Sequence, residues 1–387
     1  MIKITDPRNC CGCTACASAC AKDAITMKPD VLGFLYPEVD VDKCSCCGLC
    51  DKVCQFNDSY DCTLNLQHPD VYAVRHKSSA EVMKSRSGAV FAAISDYVLE
   101  NNGVVYGAGY ASHFRVIHKR ATTKEERDEF RGSKYVQSDL TGVFRQVRDD
   151  LRSGRKVLFS GTPCQTSGLN AFVGKRLRDN LILVDIVCHG VPSPYIWRDY
   201  LKYLENKEGK TITSLDFRNK RKFGYRGHKE TFCFGGERKE RYYLFEYYKE
   251  FSFRRSCEVC HFANTVRPSD ITLADYWGND PNVKRFNYDD KGCSLVLINT
   301  EKGKCVFNLI SDCVITIETT LDQSLQPNLQ HPSKKHPQRE MVEHDYSVNG
   351  FEYVARKYGN LGITHWKENV RISLKFAIKR IQTLFKS

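Results

Sequence analysis

Eight cysteines fall into two copies of one spacing. Cys10, Cys13, Cys16 and Cys20 are separated by two, two and three residues, and Cys44, Cys47, Cys50 and Cys54 repeat the pattern 34 residues later. Three thiolates two residues apart can wrap one corner of an iron–sulfur cube, and the fourth, three residues on, points away to a neighbouring cube. Cys10, Cys13, Cys16 and Cys54 are therefore assigned to one 4Fe-4S cluster, and Cys44, Cys47, Cys50 and Cys20 to a second. Cys11 and Cys46 are left over. Structural zinc is usually held by Cys-x2-Cys pairs a dozen or more residues apart, which duplicated four-cysteine runs do not match. Disulfides need an oxidising compartment, and the start MIKITDPRNC has neither the charged nor the apolar region of a secretory signal. A cytoplasmic setting is expected.

The double run resembles the ligand pattern of two-cluster bacterial ferredoxins. One departure is that the proline usual after the fourth cysteine is Ala21 in the first run and Gln55 in the second. Proline there shapes the backbone rather than binding iron, so the departure bears on family typing more than on the clusters.

These runs must be positioned by something larger. A chain of 387 residues suggests two or three domains, of which the ferredoxin-like module takes residues 1–58. Charged residues at 27%, a mean hydropathy of -0.46 and the lack of any 18-residue apolar run exclude an integral membrane protein of the helical kind. A formal charge of +12 favours an acidic partner: a small acidic electron carrier such as a ferredoxin, a phosphate-bearing ligand or an anionic membrane surface. No helix-turn-helix, finger or RNA-binding pattern accompanies the charge, so nucleic acid is not expected as a partner.

A polar stretch, 59–70, reads as a linker. Strands are then expected at 71–76, 104–110, 114–121, 156–161 and 181–187, alternating with helices at 88–102, 123–131, 139–152, from Thr162-Pro163, and from Pro192 to about Glu205. Shorter strands follow at 212–217, 228–234, 270–277 and 293–300. The fold class read from this order is α+β: a bacterial-ferredoxin-like module followed by a mixed α/β flavoprotein-type domain, divided into 71–160 and 161–322. The basic tract 218–226 is either a solvated loop or a clamp for an anion. Residues 323–348 read as a polar loop. Over 366–385 a basic amphipathic helix is expected, which either docks on protein or touches an anionic membrane surface.

Four further cysteines, Cys164, Cys188, Cys257 and Cys260, sit at strand ends and in loops; alone they are weak evidence, because intracellular cysteine often serves as a small core residue. Their surroundings carry more. The segments SRSGAVFAAISDYVLENNGVVYGAGY, RGSKYVQSDL, KVLFSGTPCQ, DIVCHGVPSP and SCEVCHFANTVRPSDITLADYWG together resemble the beta-subunit family of coenzyme F420 hydrogenases and dehydrogenases over roughly 71–320. That family includes a ferredoxin-dependent plant chlorophyll reductase, and its bacterial members of this form resemble proteins of polysaccharide gene clusters. The resemblance implies a third 4Fe-4S cluster on Cys164, Cys188, Cys257 and Cys260, beside FAD. His189 and His261 each follow a ligand directly and read as hydrogen-bonded neighbours. Such flavoproteins lack the Gly-x-Gly-x-x-Gly fingerprint, so flavin contacts are sought in loops that open helices. Ser85, Ser87 and Gly88 form one such loop, suited to a pyrophosphate, and Gly132, Ser133, Lys134, Tyr135 and Gln137 a second.

Together these parts describe an iron–sulfur flavoprotein oxidoreductase that passes electrons between a ferredoxin-like donor and an organic substrate, in either direction, with a place in polysaccharide biosynthesis suggested by the bacterial relatives. The alternative is a non-catalytic electron-transfer subunit of a larger redox complex. No acid–base residue stands out; Asp185, Asp275 and Tyr276 are as suited to supporting the fold.

Overall fold

The computed structural model describes residues 1–57, 60–227, 229–241, 250–287, 289–359, 361, 370 and 374. Each four-cysteine run feeds a short helix, Ala15–Ala19 and Leu49–Lys52. Between them lies an antiparallel hairpin of β1 (Ile25–Pro29) and β2 (Leu35–Val39). Its turn needs Gly33: φ is +84°, and a Cβ there would stand 2.5 Å from the Tyr195 ring. The hairpin is thereby held against the helix Pro194–Glu208.

The rest is organised by an eight-stranded mixed sheet. Its strands are β3 (Asn65–His76), β4 (Val104–Tyr110), β5 (Val116–Ala121), β6 (Val157–Gly161), β7 (Leu181–Ile186), β11 (Ile271–Asp275), β12 (Ser294–Thr300) and β13 (Val314–Glu318), in the order β13-β3-β12-β11-β7-β6-β4-β5. β11, β7, β6 and β4 run parallel, and the outer pairings are antiparallel. The parallel strands are almost wholly apolar because helices cover both faces. Side chains alternate across the sheet as the pleat requires. Leu158, Ile182 and Val184 pack with the helices Val90–Glu100 and Glu301–Leu309 on one face. Val157, Phe159, Leu181 and Leu183 pack with the helices Val143–Arg152 and Pro163–Val173 on the other.

A three-stranded sheet of β8 (Ser214–Asp216), β9 (Glu230–Phe234) and β10 (Glu237–Arg241) is built beside this frame. Phe217 and Phe232 pack with Trp197 and Tyr200 of the helix Pro194–Glu208 and with Tyr346 and Phe351 of the helix Arg339–Lys357. The mixed α/β organisation expected from the sequence is present, with two differences. β3 starts at Asn65, so the second half of the expected linker is strand, paired to β12 across a bulge between Ile298 and Thr300. Within 323–348, expected as loop, the chain forms the first half of the helix Arg339–Lys357. The basic helix expected over 366–385 lies outside the described residues except for Val370 and Leu374. Among the described residues no helix is long and apolar enough to cross a membrane.

Buried His118 on β5 links the sheet to the loop after Arg131. Its Nδ1 accepts from Ser138 Oγ at 2.9 Å, its Nε2–H donates to Ser160 O at 3.0 Å, and the ring stacks on Phe159. Burial lowers its pKa to about 4. The unfolded chain therefore takes up this proton first, near pH 6.5, so the contribution is whole above that pH and is lost as pH falls toward 4. By pH 5 the loss is about 2 kcal/mol. Denaturant titrations at pH 7 and pH 5 should show it in the native chain and show a smaller drop in His118→Gln; equal drops would contradict this assignment.

Candidate metal centre

Adjacent parallel strands end at one edge of a sheet, and that edge is where α/β folds place their ligands. β6 ends at Gly161 and β7, its neighbour, at Ile186. Cys164 and Cys188 follow these ends by three and two residues. Pro163 opens a helix directly after β6, so Cys164 lies in its first turn, where free N–H groups favour a thiolate. The other two cysteines arrive on a returning segment. A Pro192–Phe253 bridge and the bond from Arg254 N–H to Val191 O (3.0 Å) hold the turn Arg255–Val259, with Cys257 and Cys260, against the segment that follows Cys188.

Cys164, Cys188, Cys257 and Cys260 line one pocket. Burial pushes the Cys257 thiol up to about 12 and Cys260 up to about 11, with neighbouring thiols adding to the shift. Cys188 is raised further by burial, and Cys164 by its contact with Cys11 and then by burial. Four thiols in such a place ionise together only around a cationic core. Among the described residues no three Cys, His, Asp or Glu side chains close on a single ion. Thiols arrayed around a pocket suit a polynuclear iron–sulfur core better than one zinc ion, so the residues fit the expected third cluster.

In the N-terminal module, Cys16 is pushed up to about 12 by burial, with the thiols of Cys10, Cys54 and Cys50 contributing. Cys50 and Cys54 of the second run thus both lie near Cys16 of the first. Cys16, Cys20, Cys50 and Cys54 pack with Ile2 and Ile25 in a small apolar shell. Backbone N–H groups reach three of the sulfurs: Ile2 to Cys50, Ala24 to Cys20 and Cys46 to Cys44, at 3.3–3.4 Å. Cys13 lies against the helix that carries Cys164, where Gly168 makes room for it; a Cβ at Gly168 would stand 2.7 Å from Cys13 Sγ.

The two loops expected to hold a flavin are tied into the fold by bonds of their own. Ser85 caps the helix Ser79–Lys84. Ser87 Oγ donates to Cys293 O and Gly88 N–H to Ser294 Oγ, and a Cβ at Gly88 would collide with Val74 O at 2.1 Å. Gly132 and Ser133 are exposed. Lys134 Nζ donates to the carbonyls of Glu129, Arg131 and Gly132, and burial lowers its pKa to about 7. Gln137 faces the cysteine pocket instead.

The loops nevertheless meet at one charged centre at the end of β11, to which the basic tract 218–226 contributes Arg218 and Lys220. Arg218 Nη1 donates to Tyr135 Oη (3.1 Å) and Asp275 Oδ2 (3.2 Å). Arg86, 8% exposed, stands 4.0 Å from the same carboxylate; its Nη2 donates to Tyr225 O, while its Nε and Nη1 make no hydrogen bond among the described residues. Lys220 Nζ donates to Val82 O and Ser87 O, and burial, followed by the charge of Arg86, lowers it to about 7. Two arginines therefore stand against one carboxylate, with Lys220 nearby. Phe253 packs on both Tyr135 and Cys257 and joins this centre to the cysteine pocket. Asp185, by contrast, is spent in a buried pair with Arg267 at 3.1 Å, and Tyr276 is buried with its Oη on Thr319 Oγ1. His189 is held by Glu250 (2.7 Å) and Asn328 (3.0 Å) at the pocket wall, and His261 packs on Phe56.

Residues 154–323 match the family model for the C-terminal region of the coenzyme F420 hydrogenase/dehydrogenase beta subunit. Among solved structures, a chain from the study of xenon derivatization of the F420-reducing [NiFe] hydrogenase complex from Methanosarcina barkeri is similar at 16% identity, covering 79% of this chain and 97% of that one with a TM-score of 0.46. No curated protein matches the chain in sequence. The matched residues, 154–323, contain all four cysteines of the pocket.

Proposed function

We propose that this chain is an electron-transferring subunit of an oxidoreductase complex. It would hold one 4Fe-4S cluster on Cys10, Cys13, Cys16 and Cys54, a second on Cys44, Cys47, Cys50 and Cys20, a third on Cys164, Cys188, Cys257 and Cys260, and FAD at the charged centre. When bound, the clusters supply one-electron carriers and the flavin a centre that exchanges one electron or two. The observation that carries the reading is the convergence of four cysteines from three segments on one pocket that also touches the N-terminal runs.

The protein's own residues do the rest. The first turn of the helix Pro163–Val173 favours Cys164 as a thiolate. Phe253, buried between Cys257 and Tyr135, excludes water between pocket and charged centre. Arg86 and Arg218 together exceed the charge of Asp275, and this suits the diphosphate of a dinucleotide. The family's description as a beta subunit favours the subunit reading over a self-sufficient enzyme. The charge of +12 favours an acidic carrier such as a ferredoxin as the electron partner.

Stopped-flow reduction by a reduced ferredoxin tests this. The rate should fall at least about tenfold as salt is raised, because docking is steered by charge. The chemically reduced chain alone should not turn over coenzyme F420 and should do so once its partner subunits are added. Turnover by the chain alone would instead establish a complete enzyme.

A further inference from the structure

Cys11 is outside both ligand runs, yet it is 4% exposed and lines the pocket with Cys164, Cys188, Cys257 and Cys260. Its peptide neighbour Cys10 is assigned to the first N-terminal cluster. Gln55, which follows the ligand Cys54 where proline is usual, donates its Nε2 to Cys11 Sγ (3.2 Å) and to Cys164 O (2.6 Å). Residues adjacent to two ligands of the first cluster thus contact a ligand of the third.

Arg254 closes the same junction. It is 1% exposed, and among the described residues no carboxylate lies within ion-pair distance of it. Its Nε donates to Cys10 O (2.7 Å), Nη1 to Gln137 Oε1 (3.0 Å), and Nη2 to Leu35 O (2.8 Å) and Cys10 Sγ (3.6 Å). Gln137 in turn donates to Cys11 O at 2.8 Å, and the guanidinium lies over the Tyr36 ring. Gly12, at φ +70°, leaves the room: a Cβ there would stand 2.7 Å from Arg254 Nη1. Cys10 of the first ligand set and Cys257 of the pocket set both lie within electrostatic reach of this cation, as does the Asp30 carboxylate. Burying a guanidinium without a carboxylate is costly unless other anions neutralise it. Iron-bound thiolates on either side meet that need.

We propose that Arg254 is a shared positioning residue between two clusters, raising the reduction potential of both the Cys10-containing cluster and the pocket cluster. Each core becomes one charge more negative on reduction, and a fixed cation beside both favours that state in each. Cys11 and Gln55 would hold the two ligand sets side by side through the Cys10–Cys11 and Cys54–Gln55 peptide bonds. The second N-terminal cluster, on Cys44, Cys47, Cys50 and Cys20, lies outside the junction. This inference rests on the cluster assignments proposed above, which iron content tests separately.

The experiment is an electron-paramagnetic-resonance redox titration of anaerobically purified native chain, Arg254→Gln and Arg254→Lys, with iron counted in each. In Arg254→Gln, two of three midpoint potentials should fall while the third stays, and Arg254→Lys should restore most of the shift. Potentials that all move together, or that do not move, overturn the proposal. Should Arg254→Gln lose iron, the native chain decides through its fully reduced spectrum. The Cys10 cluster should then show a magnetic interaction that disappears in Cys188→Ala, and a Cys10 signal unchanged by Cys188→Ala overturns the proposal. A native iron count of about eight rather than about twelve would instead remove the third cluster itself.

Discussion

Asp270→Ala should lower the free energy of unfolding by about 3–5 kcal/mol, the usual cost of stranding one partner of a buried ion pair. Asp270 is fully buried at the start of β11 and its carboxylate is completely used. Oδ1 accepts from Arg178 Nη2 at 2.9 Å and Thr300 Oγ1 at 2.8 Å, and Oδ2 accepts the backbone N–H of Leu183 at 2.8 Å. These bonds tie β7, β11 and the end of β12 together at the edge opposite the cysteine pocket. Alanine leaves the Arg178 guanidinium buried without its carboxylate. Guanidinium-chloride titrations followed by circular dichroism give the size of the effect, and Asp270→Leu combined with Arg178→Met should recover much of it. A loss below about 1 kcal/mol in Asp270→Ala would show that the pair does not brace the sheet.

Cys188→Ala has the largest expected effect on function: about four irons per chain should be lost while the N-terminal module keeps about eight. Cys188 follows β7 directly, Cys164 enters after β6, and Cys257 and Cys260 arrive together with the turn Arg255–Val259. Three thiolates hold a four-iron core poorly once the fourth is gone. Cys46→Ala and Cys62→Ala, at exposed cysteines with no assigned ligand role, should leave iron content unchanged. Equal iron in Cys188→Ala and the native chain would contradict the pocket assignment.

The elements most legible in the sequence were those whose apolar residues answer to a single environment. β4 runs from Val104 to Tyr110 as read, and β7 departs from its reading by one residue, because strands covered on both faces are almost continuously apolar. The helix expected from Pro192 starts at Pro194 because Ser193 caps it, its Oγ accepting from Ile196 N–H. The start of β3 was not legible, since Asn65-Leu-Gln-His-Pro-Asp is polar and is strand only through its pairing with β12. The helix Arg339–Lys357 hid for another reason. Its buried positions Arg339, Val342 and Tyr346 change phase at Gly350, where φ is +75°, so no single helical period covers it.

At the site, duplicated spacing made the eight N-terminal cysteines readable. Cys164, Cys188, Cys257 and Cys260 are too far apart in sequence for spacing to join them, and the family resemblance supplied the grouping. Arg254 left no local trace, because what distinguishes it is burial beside groups far away in the chain, and the basic tract 218–226 was legible only as charge, without its meeting with Asp275. Gln55 had a hint in the missing proline, whose consequence appears only once its amide is seen between Cys11 and Cys164.

The most direct measurement is iron, acid-labile sulfide and flavin on anaerobically purified protein. About twelve irons, about twelve sulfides and about one FAD per chain are predicted. About eight irons without flavin would leave the N-terminal clusters with nothing in the larger domain to exchange electrons with, and would contradict an electron path through it.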